Sequence, residues 1–425
     1  MADYDADVIG IGFGPSNIAL AIALEELHPG IRTLFLEHRS KPGWQPGMLL
    51  EGSDIQHHPV RDLVTLRNPR SRYSFINYLH EENRLVPFLN LGLPFPLRKD
   101  YARYVAWAAE QLADRVRFGA AVTAVHTAED DGPVEVELAD GERLRARSVV
   151  VAPGRPPSLP APFRDIDDPR IFHYTRYLDR ISDLTETGTP RLAVIGGSQS
   201  AVELVLDSSN RFPQGRIHNI IRGFGYRQKD LSPFHGEVYF PEFVDYYYAS
   251  SEESKGELDR QLRYTNYSAA DIDVLDSLHT RLYEQRLDGD HRIALHRNTE
   301  VTGVRPGPTG IALELVERHL GTTDEIEVDT VILATGFTDL TDEDGDHFLP
   351  DVLEPIRHRV GRTPSGRASI GRDYRVLAAP EASLPPIHLN GVCETTHGLG
   401  DAGSFSLVSL RAATIADSLS KSLAA

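Results

Sequence analysis

The sequence predicts an α/β protein built on parallel sheets, and three observations carry that prediction. Asp7 to Glu26 reads DVIGIGFGPSNIALAIALEE, and Arg191 to Asp207 reads RLAVIGGSQSAVELVLD. Each is a short apolar run, a Gly-rich turn and an amphipathic helical pattern, so strand, phosphate loop and helix are written twice. Ser148 to Gly154 (SVVVAPG) and Thr330 to Phe337 (TVILATGF) each read as a buried strand ending in a small-residue turn. Strands alternating with helices imply parallel sheets joined by right-handed crossovers. The expected fold is therefore α/β with two dinucleotide-binding, Rossmann-like domains.

The first loop is Gly12-Phe13-Gly14-Pro15-Ser16-Asn17. Gly12 permits a tight turn after the strand, and Gly14 lets the backbone approach a pyrophosphate seated on the helix N-terminus. Pro15 and Asn17 complete the loop, with Asn17 at the third position of the usual GxGxxG. Leu34-Phe35-Leu36-Glu37 follows as a second strand, and Glu37 is placed to accept hydrogen bonds from a ribose diol. Pro153, Pro156, Pro157, Pro160 and Pro162 crowd a stretch that reads as a linker between domains.

The second loop, Gly196-Gly197-Ser198-Gln199-Ser200-Ala201, replaces the later glycines. Its second strand, His218 to Ile221, ends in Arg222. An acid there favours NAD, whereas Arg222, with Arg227 nearby, favours a 2′-phosphate and hence NADPH; the alternative is an Arg that only ends a strand in solvent. Residues 226–290 are rich in Tyr, Asp and Glu and read as a mostly helical insertion. FAD is expected on the first domain (1–185 and 331–425) and NADPH on the second (186–225 and 291–330). The Ala334-Thr335-Gly336 turn returns the chain to the first.

Composition narrows the partners. Among 425 residues, 44 Lys+Arg stand against 62 Asp+Glu, a net charge of −18. An acidic chain repels nucleic acid and anionic membranes, so neither is an expected partner. A local basic pocket for a small anion remains compatible with it. Cys393 is the only cysteine, which excludes an intrachain disulfide, a CxxC pair or a Cys-rich zinc site. The start, MADYDADVIG, is acidic where a signal peptide is basic, and no segment approaches about 18 uninterrupted apolar residues, so a cytoplasmic location is expected.

With these segments in hand, the chain resembles the flavin-dependent N-hydroxylating monooxygenases, the L-ornithine N5- and L-lysine N6-monooxygenases of siderophore biosynthesis. The matching stretches, in family order, are the first loop, Gly47-Met48-Leu49-Leu50, Arg61 to Pro69 (RDLVTLRNP) with Tyr73-Ser74-Phe75, Gly197 to Ala201, Ser232-Pro233-Phe234, Thr265-Asn266-Tyr267-Ser268, Ala334-Thr335-Gly336 and Thr396-His397-Gly398-Leu399. The LRNP and TNYS stretches are the specific ones. The resemblance implies that NADPH reduces FAD, that O₂ then gives a C4a-hydroperoxyflavin, and that a neutral primary amine takes its distal oxygen. It implies Gln56 and Asn266 at the amine, and Trp44, His397, Gly398 and Leu399 beside the flavin. It also implies Arg61, His235, Gly236 and Ser404 around the rest of the substrate. It implies a homo-oligomer, dimer or tetramer, in which no metal takes part.

Three departures fall on one side of that pocket. Arg61 stands where ornithine enzymes carry a carboxylate-binding Lys, and a planar fork is not equivalent to a point charge. His235-Gly236 follows Ser232-Pro233-Phe234 where the family has an Asn. Gly400-Asp401-Ala402-Gly403 lengthens a loop after Leu399. These changes point to an altered anionic end of the substrate, such as a phosphonate or an acidic amino acid. Plainer readings are an ion pair of Arg61 with Asp62 or Glu51, a packing role for Trp44 and Trp107, a metal pair at His57-His58, and a solvated face at Ser251-Glu252-Glu253.

Two other functions compete. A sulfur or Baeyer–Villiger oxygenase carries F-x-G-x-x-x-H before its second loop, and Phe172 to Tyr177 (FHYTRY) lacks the glycine. A non-catalytic nucleotide sensor keeps the loops without the LRNP and TNYS stretches.

Overall fold

The computed structural model describes residues 4–128, 132–182, 184, 189–340, 347–401 and 404–424. Ala402 and Gly403, half of the lengthened loop, lie outside them. Three sheets organise the chain. In the first, β1 (Ala6–Ile11) pairs in parallel with β2 (Thr33–Glu37), which in turn pairs with β3 (Val116–Phe118). A hairpin of β4 (Val122–Thr127) and β5 (Val134–Leu138) follows. The nine-residue β6 (Arg143–Val151) joins these parts. Its first half pairs antiparallel with β5, and its second half, buried throughout, pairs in parallel with β1 and with a strand from the far end of the chain.

The second sheet contains β7 (Ile171–His173), β8 (Arg191–Ile195), β9 (Arg216–Ile220) and β10 (Ile293–His296), and its pairings are parallel. An antiparallel sheet of β11 (Thr299–Pro306), β12 (Ile311–Glu317) and β13 (Thr323–Val328) packs beside it. The strand β14 (Thr330–Leu333) then enters the second sheet between β8 and β7, and β15 (Ile387–Leu389) returns to β6 of the first. The second sheet is therefore wider than segments 186–225 and 291–330. It takes β7 from before residue 186 and, through residue 333, all of β14, whose four residues are fully buried and need strands on both sides. The Pro-rich stretch is the passage from β6 to β7.

Segment 226–290 carries the helices Pro241–Ala249, Glu252–Leu262 and Ile272–Leu287. In the acidic run, Ser251 caps the second of these through the N–H of Ser254, while Glu252 pairs with Lys255 and Arg367. The LRNP stretch clamps the first helix, Pro15–Leu27, because Arg67, Asn68 and Ser71 all donate to the Glu26 carboxylate (2.7, 3.0 and 2.7 Å). Trp107 packs on Tyr78 and Tyr104. Among the described residues, no helix is long and apolar enough to cross a membrane.

One buried contact ties the two parallel sheets together. Arg98 opens the helix Arg98–Glu110 on the first unit and meets Glu203 of the helix Gln199–Arg211 on the second in a two-pronged pair (3.0 and 2.9 Å). Its remaining N–H groups donate to Met48 O and Asp54 O. Removing one partner of such a pair strands the other charge in a dry site, which costs about 3–5 kcal/mol. Arg98→Ala should therefore lower the thermal midpoint sharply, whereas the double change Arg98→Met with Glu203→Leu should recover most of the loss. Differential scanning calorimetry of the three proteins checks this, and equal midpoints for wild type and Arg98→Ala would contradict it.

Candidate active site

The two glycine loops are built alike. Gly12 leaves β1 at φ +81°, and a Cβ there would collide with the carbonyl of Ala152, just past β6. Gly196 leaves β8 at φ +145°, and its Cβ would collide with the carbonyl of Ala334, just past β14. In both, the first glycine is required by a neighbouring strand end. Gly14 differs, because its backbone is extended (φ −82°) and a Cβ would meet nothing within 4 Å. It caps the helix Pro15–Leu27 without a side-chain hydrogen bond, with Pro15 in the first turn, so the helix N-terminus faces open space. Glu37 ends β2 and accepts from the N–H groups of Phe13 (2.8 Å) and Arg39 (3.0 Å), which leaves lone pairs for a diol. Asn17 braces the loop instead of facing a ligand. It is buried, its amide donates to Ile11 O and Gly12 O, and its oxygen accepts from Asn390.

A cleft of about 1210 Å³ opens between the C-terminal ends of the two parallel sheets, roofed by the insertion. Gly196, Ser198, Gln199, Ser200, Arg222, Thr335, Gly336, Trp44, Gln56, Arg61, Gly236, Asn266, Leu399 and Ser404 line it. Trp44 lines the cleft, and its ring also packs, meeting Phe405 edge-on at 5.1 Å. Thr335 Oγ1 donates to Ser158 O, and Gly336 sits at φ +76°. Arg222, two residues past β9, is exposed, with no carboxylate partner among the described residues.

Gln56 holds a left-handed backbone (φ +58°), fixed by its N–H on Asp54 Oδ1 (2.9 Å). Its side-chain amide donates to Asp271 (2.5 Å), and the Asp271 N–H donates to Gln199 Oε1 (2.8 Å). Asp271 thus bridges the second loop and Gln56. Arg61 is not the structural ion pair of the plainer reading. Asp62 is occupied by the N–H groups of Val64, Thr65 and Phe75, and Arg61 Nη1 donates to Ser406 Oγ (3.1 Å), which is in turn bonded to Ser404 (2.9 Å). The Arg61 guanidinium lies over the Tyr239 ring at 5.6 Å. On the same short helix as Tyr239, a Cβ on Gly236 would meet nothing within 4 Å.

Some expected residues lie elsewhere. His235 is exposed and does not line the cleft, although it pairs with Asp230, which does. His397 is buried and stacked on Tyr374 at 4.0 Å, away from the cleft, and Gly398 packs on Phe243 and Tyr247. Both position Leu399 from behind. His57 is wedged between Tyr101 and Phe405, and burial drops its pKa to about 4, while His58 faces solvent. That disposition suits packing better than a metal pair.

A third group went unseen in the sequence. Arg155 Nη1 donates to Tyr267 Oη (2.8 Å), Asp339 (3.0 Å) and Glu394 Oε2 (3.2 Å), and Tyr267 also donates to Glu394 (2.5 Å). Burial, then the Asp339 charge, pushes Glu394 up to about 8. These residues adjoin the SVVVAPG, ATGF, TNYS and THGL segments, so adjacency to a recognised turn was the available signal. Eight basic and six acidic residues line the cleft, reversing the sign of a chain that carries −18.

Residues 5–339 match the family described as L-lysine 6-monooxygenase/L-ornithine 5-monooxygenase. The chain belongs to that family. It is 36% identical to the L-ornithine N(5)-monooxygenase of Pseudomonas aeruginosa, over 97% of this chain and 93% of the relative. Among solved structures, the ornithine N-hydroxylase of Kutzneria sp. 744, with reduced FAD, NADP⁺ and L-ornithine, superposes with a TM-score of 0.91 at 32% identity, over 98% of this chain and 99% of that one. The L-lysine 6-monooxygenase of Pseudomonas syringae gives 0.86 at 32% identity, over the same shares.

The two first-loop glycines separate by substitution. Gly12→Ala forces a positive φ and a backbone clash, so it should unfold or strongly destabilise the protein with or without FAD. Gly14→Ala should leave the thermal midpoint of the flavin-free protein unchanged and weaken FAD retention, because the new methyl fills the approach to the helix N-terminus. Flavin absorbance after gel filtration and a melting curve read the two effects.

Proposed function

We propose that this chain is a flavin-dependent monooxygenase that hydroxylates the primary amine of a small ornithine- or lysine-like metabolite, with FAD on the first loop and NADPH on the second. The observation that carries the reading is that Gln56, Asn266, Arg61 and Ser404 line one cleft whose walls are the second glycine loop and the β14 turn. FAD held here and reduced by NADPH would activate O₂, the source of the transferred oxygen atom; the protein supplies binding, orientation and electrostatics. The open helix N-terminus at Gly14 and the lone pairs that Glu37 has left suit its pyrophosphate and ribose. Exposed Arg222 suits a 2′-phosphate.

The chain's own groups then divide the substrate. Asn266 has no side-chain hydrogen bond among the described residues, and its amide is available to the amine end together with the side-chain carbonyl oxygen of Gln56, whose NH₂ group is held by Asp271. Arg61 and the linked hydroxyls of Ser404 and Ser406 hold the anionic end. Trp44, Tyr239 and Phe405 shed water between them.

A second reading changes only the anionic end. Arg61 presents a planar fork over Tyr239, and Gly236 on the same short helix leaves open space in the shared cleft, which favours a bulkier or doubly charged group such as a phosphonate or a second carboxylate.

Three measurements test these assignments. Purified protein should form a hydroxylamine from an amine with matched consumption of NADPH and O₂; NADPH oxidation that no amine stimulates would oppose the reading. Arg222→Ala should raise the KM for NADPH and leave that for NADH nearly unchanged, and an equal loss for both would remove Arg222 from the 2′-phosphate. Arg61→Ala should weaken substrate binding by more than tenfold, since a hydrogen bond to a charged group contributes about 1.5–3 kcal/mol. Comparing ornithine and lysine with aminoalkyl phosphonates and acidic amino acids then separates the two readings. Tight coupling on ornithine that survives Arg61→Ala would leave the altered end without support.

A further inference from the structure

We propose that Glu394 is the proton acceptor of the cleft, taking a proton from the substrate's ammonium group so that the amine reacts with a free lone pair. The proposal rests on the N-hydroxylation reading above. An alkylammonium with a pKa of about 10.4 is neutral in only about one molecule in a thousand or fewer at pH 7. Nitrogen must offer its lone pair to form an N–O bond, so a group that removes this proton inside the cleft answers a requirement of the reaction.

Glu394 has the geometry for it. The residue is only 7% exposed, yet it forms part of the cleft wall. Its two oxygens have different surroundings. Oε2 accepts from Tyr267 Oη at 2.5 Å and from Arg155 Nη1 at 3.2 Å, whereas Oε1 has no hydrogen-bond partner among the described residues. One oxygen anchors the carboxyl and the other is left to exchange a proton. Tyr267 follows Asn266 directly, so the anchor is continuous with the segment expected at the amine.

The charges around it set its basicity. Arg155 is shared with Asp339, so one cation serves two carboxylates, and Asp339 is the more exposed of the two. Asp259, held by the Tyr247 hydroxyl, adds a further negative charge from the insertion, and Tyr239 and Tyr247 face the group without charge. Burial first, and Asp339 second, lift Glu394 to about 8, against about 4.5 for a solvated Glu. A base of that strength lies much closer to an alkylammonium than a surface carboxylate does, which makes the transfer more nearly balanced. In the step, an N–H bond of the ammonium breaks and an O–H bond forms at Oε1. The electron pair stays on nitrogen, nothing is oxidised or reduced, and the carboxyl later returns its proton to solvent.

The test uses the full chain with FAD and NADP⁺. In wild type, the infrared C=O band of a protonated carboxyl should disappear with a midpoint near pH 8, and Glu394→Gln should lack that titrating band. Amine-dependent hydroxylation in wild type should rise with pH and level off near the same value. Glu394→Gln should lose that limb and fall about a hundredfold or more at the plateau, the range expected for a positioned acid–base group. Tyr267→Phe removes a donor that favours the ionised form, so it should move both the limb and the band to higher pH while hydroxylation persists. Should Glu394→Gln fail to fold, the wild-type band and the Tyr267→Phe shift decide. A wild-type limb in Glu394→Gln, or an unmoved limb and band in Tyr267→Phe, overturns the assignment to Glu394. If wild type forms no hydroxylamine from any amine, the reading it rests on fails as well.

Discussion

The guanidinium of Arg98 and the carboxylate of Glu203 meet in a dry fork between two helices, and the cleft takes its depth from that contact. Arg98 belongs to the same unit as Met48 and Asp54, whose carbonyls it also holds. Glu203 lies one turn beyond Gln199 of the second loop and accepts from the Gln199 amide (2.9 Å). The pair thus fixes the second glycine loop against the segment that carries Gln56. Asp271, bonded to both glutamines, completes the connection on the cleft side. Electrostatics in a dry site enforces this geometry more strictly than apolar contact would, because any displacement leaves a buried charge without its partner.

The same constraint explains what could be seen in the sequence. Both glycine loops were legible because the backbone itself demands them, since Gly12 and Gly196 each face a carbonyl that no side chain could accommodate. The strands around them were legible for the same local reason, as continuous apolar runs ending in small residues. Domain limits were less legible. Strands β7 and β14 are short and sit at sequence positions that fit either sheet, and only three-dimensional pairing assigns them.

The site was legible where one residue faces the cleft and illegible where residues meet each other. Arg61 and Asn266 stand in recognisable segments and line the cleft. His397 stands in an equally recognisable segment, but its ring packs against Tyr374 and serves the turn from behind. The Arg155–Tyr267–Glu394 group draws its members from positions more than 100 residues apart, and no periodicity or spacing links them. The excess of basic side chains in the cleft of an acidic chain is likewise a property of the fold. It gives an incoming anion a favourable field at the mouth while the rest of the surface repels it.

The path of the chain through the sheets also bears on how the protein is made. The first sheet takes strands from residues 6 to 151 and then a last one, β15, at residues 387–389. The long helix Val408–Ala424 then packs against the helix Pro15–Leu27, and its Arg411 reaches Ser16 of the first loop. The second sheet lies wholly within residues 171–333. On the ribosome, the later-made unit therefore has all its strands available while the earlier one still waits for its seventh. The edge of β6 that β15 will pair with, and the flank of the first helix, stay open through the synthesis of more than half the chain. A nascent flavoprotein wired in this order needs its C-terminal residues before its N-terminal loop is braced, and truncation late in translation would leave an intact second unit beside an unfinished first one.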